Sequence, residues 1–188
     1  PKTAWPPTCS LRSWICSGHL HEHPEVDLTN LLDAISGLPF DVQFMSFDDV
    51  LANGIPEDVK VIINAGVANS AWSGGDVWKN PAVVEKLTRF VYEGGAFIGV
   101  NEPSAVEGYD TFFRMAPVLG VDEDTGARIC HGKWQFAVEN IEGLMPKGSF
   151  VKKKGDYRKG IPYLTDGKAK VLAEDGGVPV FTINEFGK

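Results

Sequence analysis

The sequence is poor in features that define whole classes of protein. Its three cysteines, Cys9, Cys16 and Cys130, are odd in number and lack metal-type spacing, which favours reduced, buried thiols over disulfides. No apolar run approaches the roughly 18 residues that a membrane-spanning helix needs, and no basic and then apolar leader opens the sequence. We therefore expect a cytoplasmic protein that has neither a membrane span nor a signal peptide.

Positive charge is also scarce. The 188 residues include 18 lysines and arginines against 25 aspartates and glutamates, which gives a formal charge of -7. A protein that binds nucleic acid or an anionic membrane needs a positive surface that displaces counterions, so we expect neither partner. The basic segment Lys147–Lys159 is the local exception, and its charges and glycines favour a solvated loop over a docking surface for an acidic neighbour.

Nucleotide-binding fingerprints are missing as well. The glycine-rich stretch Ala71–Gly75 has neither the Gly-x-Gly-x-x-Gly spacing of a dinucleotide-binding turn nor the final Gly-Lys-Ser/Thr of a phosphate-binding loop, so we expect no cofactor. Trp72 in this stretch can stack on a sugar or on a partner surface, and burial against the following helix is the alternative.

What the sequence does contain is a succession of strand, helix and strand between Val59 and Val121. Short apolar runs at Val59–Ile63 and Ala96–Val100 predict two strands that are buried on both faces. Between them, Asn80 is the predicted N-cap of a helix and Pro81 its first residue. A strand, a crossover helix and a second strand predict a right-handed parallel unit, whose ligands gather at the carboxyl ends of the strands.

Two more strands are predicted upstream, at Leu11–Cys16 and Phe40–Met45, and each is followed by a predicted helix. This alternation is typical of an α/β fold with a doubly wound, mainly parallel sheet. A further helix is predicted over Tyr109–Leu119. Beyond it, shorter runs predict antiparallel strands at the edge of the sheet: Trp134–Val138, Lys170–Ala173 and Val178–Ile183.

The two ends of the sequence differ in character from the middle. Pro1–Pro7 contains three prolines, which argue against a helix or a central strand, so residues 1–10 are predicted to be a linker from an upstream domain. Residues 11–188 are predicted to form a single α/β domain. Asn184–Lys188 has the pattern of a turn that leads into a further strand, and we expect a fragment that lacks its final strand.

Three alternating histidines follow the first predicted strand. In an extended segment, His19, His21 and His23 would point to one side and could converge on a zinc-like ion. His23, however, falls near the start of a predicted helix and would turn away, so we predict no metal site. His19 and His21 are candidates to face a substrate or a neighbouring domain, and ordinary loop histidines are the alternative.

Gly99–Pro103 occupies the position at which α/β hydrolases and amidotransferases carry a nucleophile elbow, a sharp turn that holds Ser or Cys. The residue at the apex is Asn101 or Glu102, and neither is a nucleophile of that type. Cys130 and His131 are neighbours, and neighbours on one strand point apart. We therefore predict no nucleophilic triad in this chain, and we take Asn101 and Glu102 as candidates to face a substrate or an interface.

Carboxylates offer a second kind of chemistry. Glu102 and Asp110 could act as a pair on a glycoside, which needs two carboxyl groups about 5 to 10 Å apart. For Glu102, a solvent-exposed acid is the alternative. For the acidic run Asp122–Asp124, we expect exposed or capping acids.

Several motifs, taken in this order and spacing, resemble the central domain of the galacto-N-biose/lacto-N-biose phosphorylases. The resemblance covers roughly Leu11 to Asp124, and the motifs that carry it are Ser17–His19, Ser36–Val42, Ile63–Gly66, Ser70–Gly75, Tyr92–Val100, Glu102–Ala105 and Leu119–Asp122.

The resemblance implies a protein of several domains. An upstream (β/α)₈ barrel would carry the catalytic acid, and a β-rich domain would follow. Inorganic phosphate would attack a β-1,3-galactosyl-N-acetylhexosamine to give galactose 1-phosphate, and the full enzyme would be a homodimer. The central domain would be class I glutamine amidotransferase-like, or flavodoxin-like, without the amidotransferase cysteine. A related galactosyl-rhamnose phosphorylase shares this layout, so the acceptor sugar stays open.

Two other functions remain in view. One is a self-sufficient hydrolase or amidotransferase-like enzyme that uses Glu102, or Cys130 with His131. The other is a sugar-binding or metal-binding module that uses His19, His21 and Trp72.

Overall fold

The computed structural model describes residues 2–5, 31–36, 39, 41–66, 68–70, 73–130, 134–137, 150–153, 158–175 and 177–188. The chain divides into two compact units. Unit 1 comprises Pro1–Tyr109, Phe113–Met115 and Phe186–Lys188, and unit 2 comprises Asp110–Phe112 and Ala116–Glu185. None of the helices described within these ranges is both long and apolar enough to cross a membrane.

Unit 1 contains a four-stranded parallel sheet. Its strands are β1 (Lys2–Trp5), β2 (Asp41–Phe44), β3 (Val59–Gly66) and β4 (Ala96–Asn101), in the spatial order β2-β1-β3-β4. β1 pairs in parallel with both β2 and β3, and β3 pairs in parallel with β4. The α/β class and the parallel pairing of β3 with β4 were predicted from the sequence and are confirmed.

The inner position of β1 contradicts the sequence argument against a central strand in Pro1–Pro7. The prolines at positions 1, 6 and 7 flank the strand but do not enter it, so every residue of Lys2–Trp5 keeps the backbone N–H that a central strand needs. The prediction that this segment could not form a central strand was therefore wrong. The strand predicted at Leu11–Cys16 lies outside the described residues.

β3 and β4 differ in burial. Most of β3 is buried, as predicted, and its last five residues are all buried. β4 stands at the edge of the described sheet, and its Ile98 and Val100 are exposed. The prediction that β4 is buried on both faces was wrong for these side chains, because apolar character in a strand does not reveal which strand lies at the edge.

The helices of unit 1 begin where the local signals predict. Helix α1 (Phe47–Asn53) has a complete capping box, in which the Ser46 hydroxyl accepts from the Asp49 N–H at 3.0 Å and the Asp49 carboxylate accepts from the Ser46 N–H at 3.2 Å. Helix α2 (Pro81–Tyr92) has Asn80 as its N-cap. Residues 31–35 are also helical, and a short 3-10 helix spans Gly75–Lys79.

One apolar face of α2 enters the core of unit 1. Val83 and Leu87 are fully buried there, as are Trp78 of the 3-10 helix and Met115. The ring of Trp78 meets Phe47 edge to face, with 5.1 Å between ring centroids. The buried residues of α2 thus form the single apolar stripe of an amphipathic helix.

The helix predicted over Tyr109–Leu119 is observed only at its end. Helix α3 is Ala116–Leu119, and Gly120 follows it with a φ of 67°. Residues 109–115 form bends, turns and a bridge between Ala105 and Phe113. The backbone N–H groups of residues 114 and 115 bond to Ser104 instead of to the preceding turn of a helix, which explains the failure of the prediction.

The described strands of unit 2 form three antiparallel pairs. β5 (Val121–Cys130) pairs with β8 (Arg158–Leu164), β6 (Trp134–Ala137) with β7 (Phe150–Lys153), and β9 (Lys170–Asp175) with β10 (Val178–Ile183). Antiparallel strands were predicted, and the β9–β10 hairpin is confirmed. They form separate two-stranded sheets, however, and do not extend the edge of the parallel sheet. Part of the basic segment predicted as a loop lies in β7 and β8.

Candidate functional site

The candidate site is the pair of loops at the carboxyl ends of β3 and β4. The two strands run in register to their last residues, where Gly66 is paired with Asn101. The Glu102 N–H then donates to the Gly66 carbonyl at 3.0 Å, which extends the ladder by one bond. Adjacent parallel strands therefore deliver both loops to the same edge of the sheet, which is where α/β sheets bind ligands.

Asn64 connects the two loops from within β3. Its side chain is fully buried, its Nδ2 donates to the Ser73 carbonyl at 3.0 Å, and its Oδ1 accepts from the Ser104 N–H at 2.7 Å. The Ser73 carbonyl also accepts from the indole N–H of Trp78. A buried amide that is bonded on both sides satisfies polar groups that would otherwise be desolvated at a cost.

Glu102, in the loop after β4, also connects the two loops. Its carboxylate Oε2 accepts from the Ala68 N–H at 2.6 Å, and the residue is only 8% exposed. The alternative interpretation of Glu102 as a solvent-exposed acid was therefore wrong. A carboxylate that accepts from a backbone N–H forms a short, charge-assisted bond.

Left-handed backbone at residues other than glycine is found at these strand ends and loops. Among the described residues, the non-glycine residues with positive φ are Asn69 (59°), Asn101 (68°) and Ser104 (54°). Such residues persist only where the surrounding structure fixes them, and they cluster at functional sites. The buried bonds of Asn64 and Glu102 supply that fixation here.

The turn at Asn101 has left-handed backbone, but it lacks the side chain of a nucleophile elbow. A nucleophile elbow holds Ser or Cys on a sharp turn between a strand and a helix. Here the left-handed residue bears an amide, and residues 102–110 form bends and turns without a helix. The hydroxyl of Ser104 is fully buried and accepts from the Met115 N–H at 3.0 Å, so it braces the turn.

The structure brings some of the predicted site residues together and leaves others outside its described part. Asn101 and Glu102 lie in the loop pair, whereas His19, His21 and Trp72 are outside the described residues, as are His23 and His131. Asp110 is exposed and belongs to unit 2. Within the described ranges, no group of His, Cys, Asp and Glu side chains is arranged to hold a metal ion.

Sequence reasoning missed Asn64 and Ser73 as bracing residues. The available signal was a polar residue inside an apolar strand, because a buried polar group needs hydrogen-bond partners.

Unit 2 contains a second group of acids, at the start of β5. Asp122 and Glu123 are 2% and 4% exposed, so the expectation of exposed acids was wrong for both. The Asp122 carboxylate accepts from the backbone N–H groups of Phe112 and Glu123, at 3.2 and 2.9 Å. Desolvation and the charges of Asp122 and Asp124 raise the pKa of Tyr163. The two backbone contacts of its carboxylate give Asp122 a bracing role in unit 2.

The geometry defines an α/β module with a braced loop pair at the carboxyl ends of its strands and an amide at the elbow position. Residues 3–188 match the family described as the lacto-N-biose phosphorylase central domain. The chain belongs to this family, which confirms the resemblance seen in the sequence.

Comparison with individual proteins agrees with this assignment. The chain is 53% identical to a D-galactosyl-β-1→4-L-rhamnose phosphorylase of Lachnoclostridium phytofermentans, over 95% of the chain and 24% of that protein. It is 36% identical to a 1,3-β-galactosyl-N-acetylhexosamine phosphorylase of the same organism, over 94% of the chain and 25% of that protein. The chain thus spans about a quarter of the length of these relatives.

A solved structure supports the fold alone. A cytoplasmic protein of Salmonella typhimurium superposes with a TM-score of 0.52 at 15% identity, covering 85% of the chain and 71% of that protein.

Proposed function

We propose that this chain is the non-catalytic central module of a larger phosphorylase, which cleaves a β-linked galactosyl disaccharide with inorganic phosphate and releases galactose 1-phosphate. Family membership supports the class of reaction. The observation that carries the non-catalytic role is the Asn101 turn, which holds an amide where a nucleophile would stand, while the adjacent Glu102 carboxylate is engaged with the loop after β3.

In this proposal the chemistry occurs outside the chain. The catalytic acid lies on an upstream (β/α)₈ barrel, a β-rich domain follows, and the full enzyme is a homodimer. The length of the relatives, about four times that of the matched region, supports a polypeptide of several domains. The module shapes the rim of the active site or the dimer contact. His19, His21, Trp72 and Asn101 are the residues that face the substrate or the interface, and Glu102 holds the loop after β3.

The parallel sheet supports an amidotransferase-like fold for the module. Its strand order, β2-β1-β3-β4, matches the first four strands of the flavodoxin-like order 2-1-3-4-5. In that order the crevice for ligands lies at the carboxyl ends of the strands.

For the acceptor sugar, we propose L-rhamnose ahead of an N-acetylhexosamine. At nearly equal coverage, the chain is 53% identical to the galactosyl-rhamnose phosphorylase and 36% identical to the galactosyl-N-acetylhexosamine phosphorylase. The alternative substrates are lacto-N-biose and galacto-N-biose.

The test uses the full-length polypeptide and the isolated chain in parallel. Each is incubated with phosphate and either galactosyl-β-1,4-rhamnose or lacto-N-biose, and galactose 1-phosphate is measured. We expect the full-length protein to turn over the rhamnoside faster and the isolated, folded chain to produce nothing. Turnover by the isolated chain, or release of free galactose without phosphate, would contradict the proposal.

A further inference from the structure

We infer that Glu102 is a positioning residue that fixes Gly66 and Ala68–Ser70, the described residues directly after β3, in the arrangement that contacts the disaccharide. This inference rests on the proposed function and specifies how the loop pair takes part in it.

Glu102 holds the near end of this loop at two points. Its backbone N–H donates to the Gly66 carbonyl at 3.0 Å, and its carboxylate accepts from the Ala68 N–H at 2.6 Å. Because the residue is 8% exposed, water competes poorly for these bonds. Two bonds to residues two apart fix both the position and the direction of the chain as it leaves β3.

Asn64 holds the far end of the same loop through the Ser73 carbonyl. Between the two anchors lies Asn69, an exposed residue in left-handed conformation. An uncharged amide donates and accepts hydrogen bonds, which suits a hydroxyl-rich ligand. The anchors prevent the strained Asn69 from relaxing to an ordinary backbone conformation.

The kinetic consequence follows from the proposed role, in which the chemistry occurs outside this chain. A loop that contacts the substrate away from the reacting bond stabilises the ground state and the transition state equally, so its loss raises KM and leaves kcat nearly unchanged. A residue that donates or removes a proton would instead lower kcat.

Three substitutions of Glu102 separate these roles in the full-length enzyme. Glu102→Gln keeps the length and an acceptor oxygen but loses the charge, Glu102→Asp keeps the charge but falls short by one methylene, and Glu102→Ala loses both. We expect the Asp and Ala variants to raise KM for the disaccharide about tenfold with kcat within about twofold, and the Gln variant to stay within about threefold of wild type.

Glu107→Ala is the matched control, because Glu107 is an exposed acid in the same turn region. It should leave KM and kcat unchanged. If Glu102→Ala does not fold, the Asp and Gln variants decide between the roles.

An unchanged KM in the Asp variant overturns the inference. An equal loss of kcat in the Gln and Ala variants also overturns it, because that result would make Glu102 a catalytic acid or base. Absence of phosphorolysis in the wild-type enzyme overturns the proposed function and the inference with it. Normal wild-type turnover with an unchanged KM in the Asp variant overturns the inference alone.

Discussion

Replacement of Asn64 by alanine tests the brace between the two loops. The substitution leaves the buried Ser104 N–H without its acceptor, whereas the Ser73 carbonyl keeps the indole N–H of Trp78. One orphaned buried donor costs about 1–3 kcal/mol, and the space left by the amide adds to this cost. We expect a loss of about 3 kcal/mol in the free energy of unfolding, which lowers Tm by roughly 6–12 °C in a chain of this size.

The assay is thermal and urea denaturation of the isolated chain, with Asn53→Ala as the control. Asn53 is exposed at the end of α1, and its replacement should change stability by no more than about 0.5 kcal/mol. Asn64→Asp should be at least as destabilising as Asn64→Ala at neutral pH, because a carboxylate oxygen would face the Ser73 carbonyl. A Tm for Asn64→Ala as close to wild type as that of Asn53→Ala would refute the reasoning.

Two further predictions concern single titratable groups. The Ser46 hydroxyl and backbone N–H bonds lower the pKa of Asp49 from its ordinary 3.8, so their stabilising effect is present above that value and is lost as the pH falls through the lower folded pKa. Ser46→Ala removes the hydroxyl bond and keeps the N–H bond, so it should weaken this acid dependence, measured by denaturation at pH 2 to 7. The lost N-cap should cost about 1 kcal/mol at neutral pH. Asp122→Asn should bring the raised pKa of Tyr163 back toward its ordinary 10.0, and an unchanged tyrosinate absorbance titration would contradict the link to Asp122.

The sequence predicted those elements whose signals are local. The capping box at Ser46 and the Asn80–Pro81 start of α2 fix their helices through residues only a few positions apart. As predicted, a helix follows the strand at Asp41–Phe44 and another begins at Pro81. The strand β1 was missed because the prolines on both sides of Lys2–Trp5 were taken as evidence against a strand, although none of them lies within these four residues.

The predictions that failed depended on contacts between distant residues. Residues 109–115 are not helical because Ser104 captures the N–H groups of residues 114 and 115. Burial of Asp122 depends on Phe112 and on β8, and burial of Glu102 depends on the loop after β3. For the site, sequence alone indicated the missing nucleophile at Asn101, but it could not show which residues brace the turn.

The most direct test of the non-catalytic role is the kcat of the full-length enzyme carrying Asn101→Gly together with Glu102→Gln. Glycine adopts the left-handed conformation of Asn101 without strain, and glutamine keeps the acceptor for Ala68, so the fold of the turn is retained while its amide and its carboxylate are removed. We predict a kcat for phosphorolysis within about threefold of wild type. A fall of about a thousandfold or more, the scale of losing a reactive group, would contradict the account.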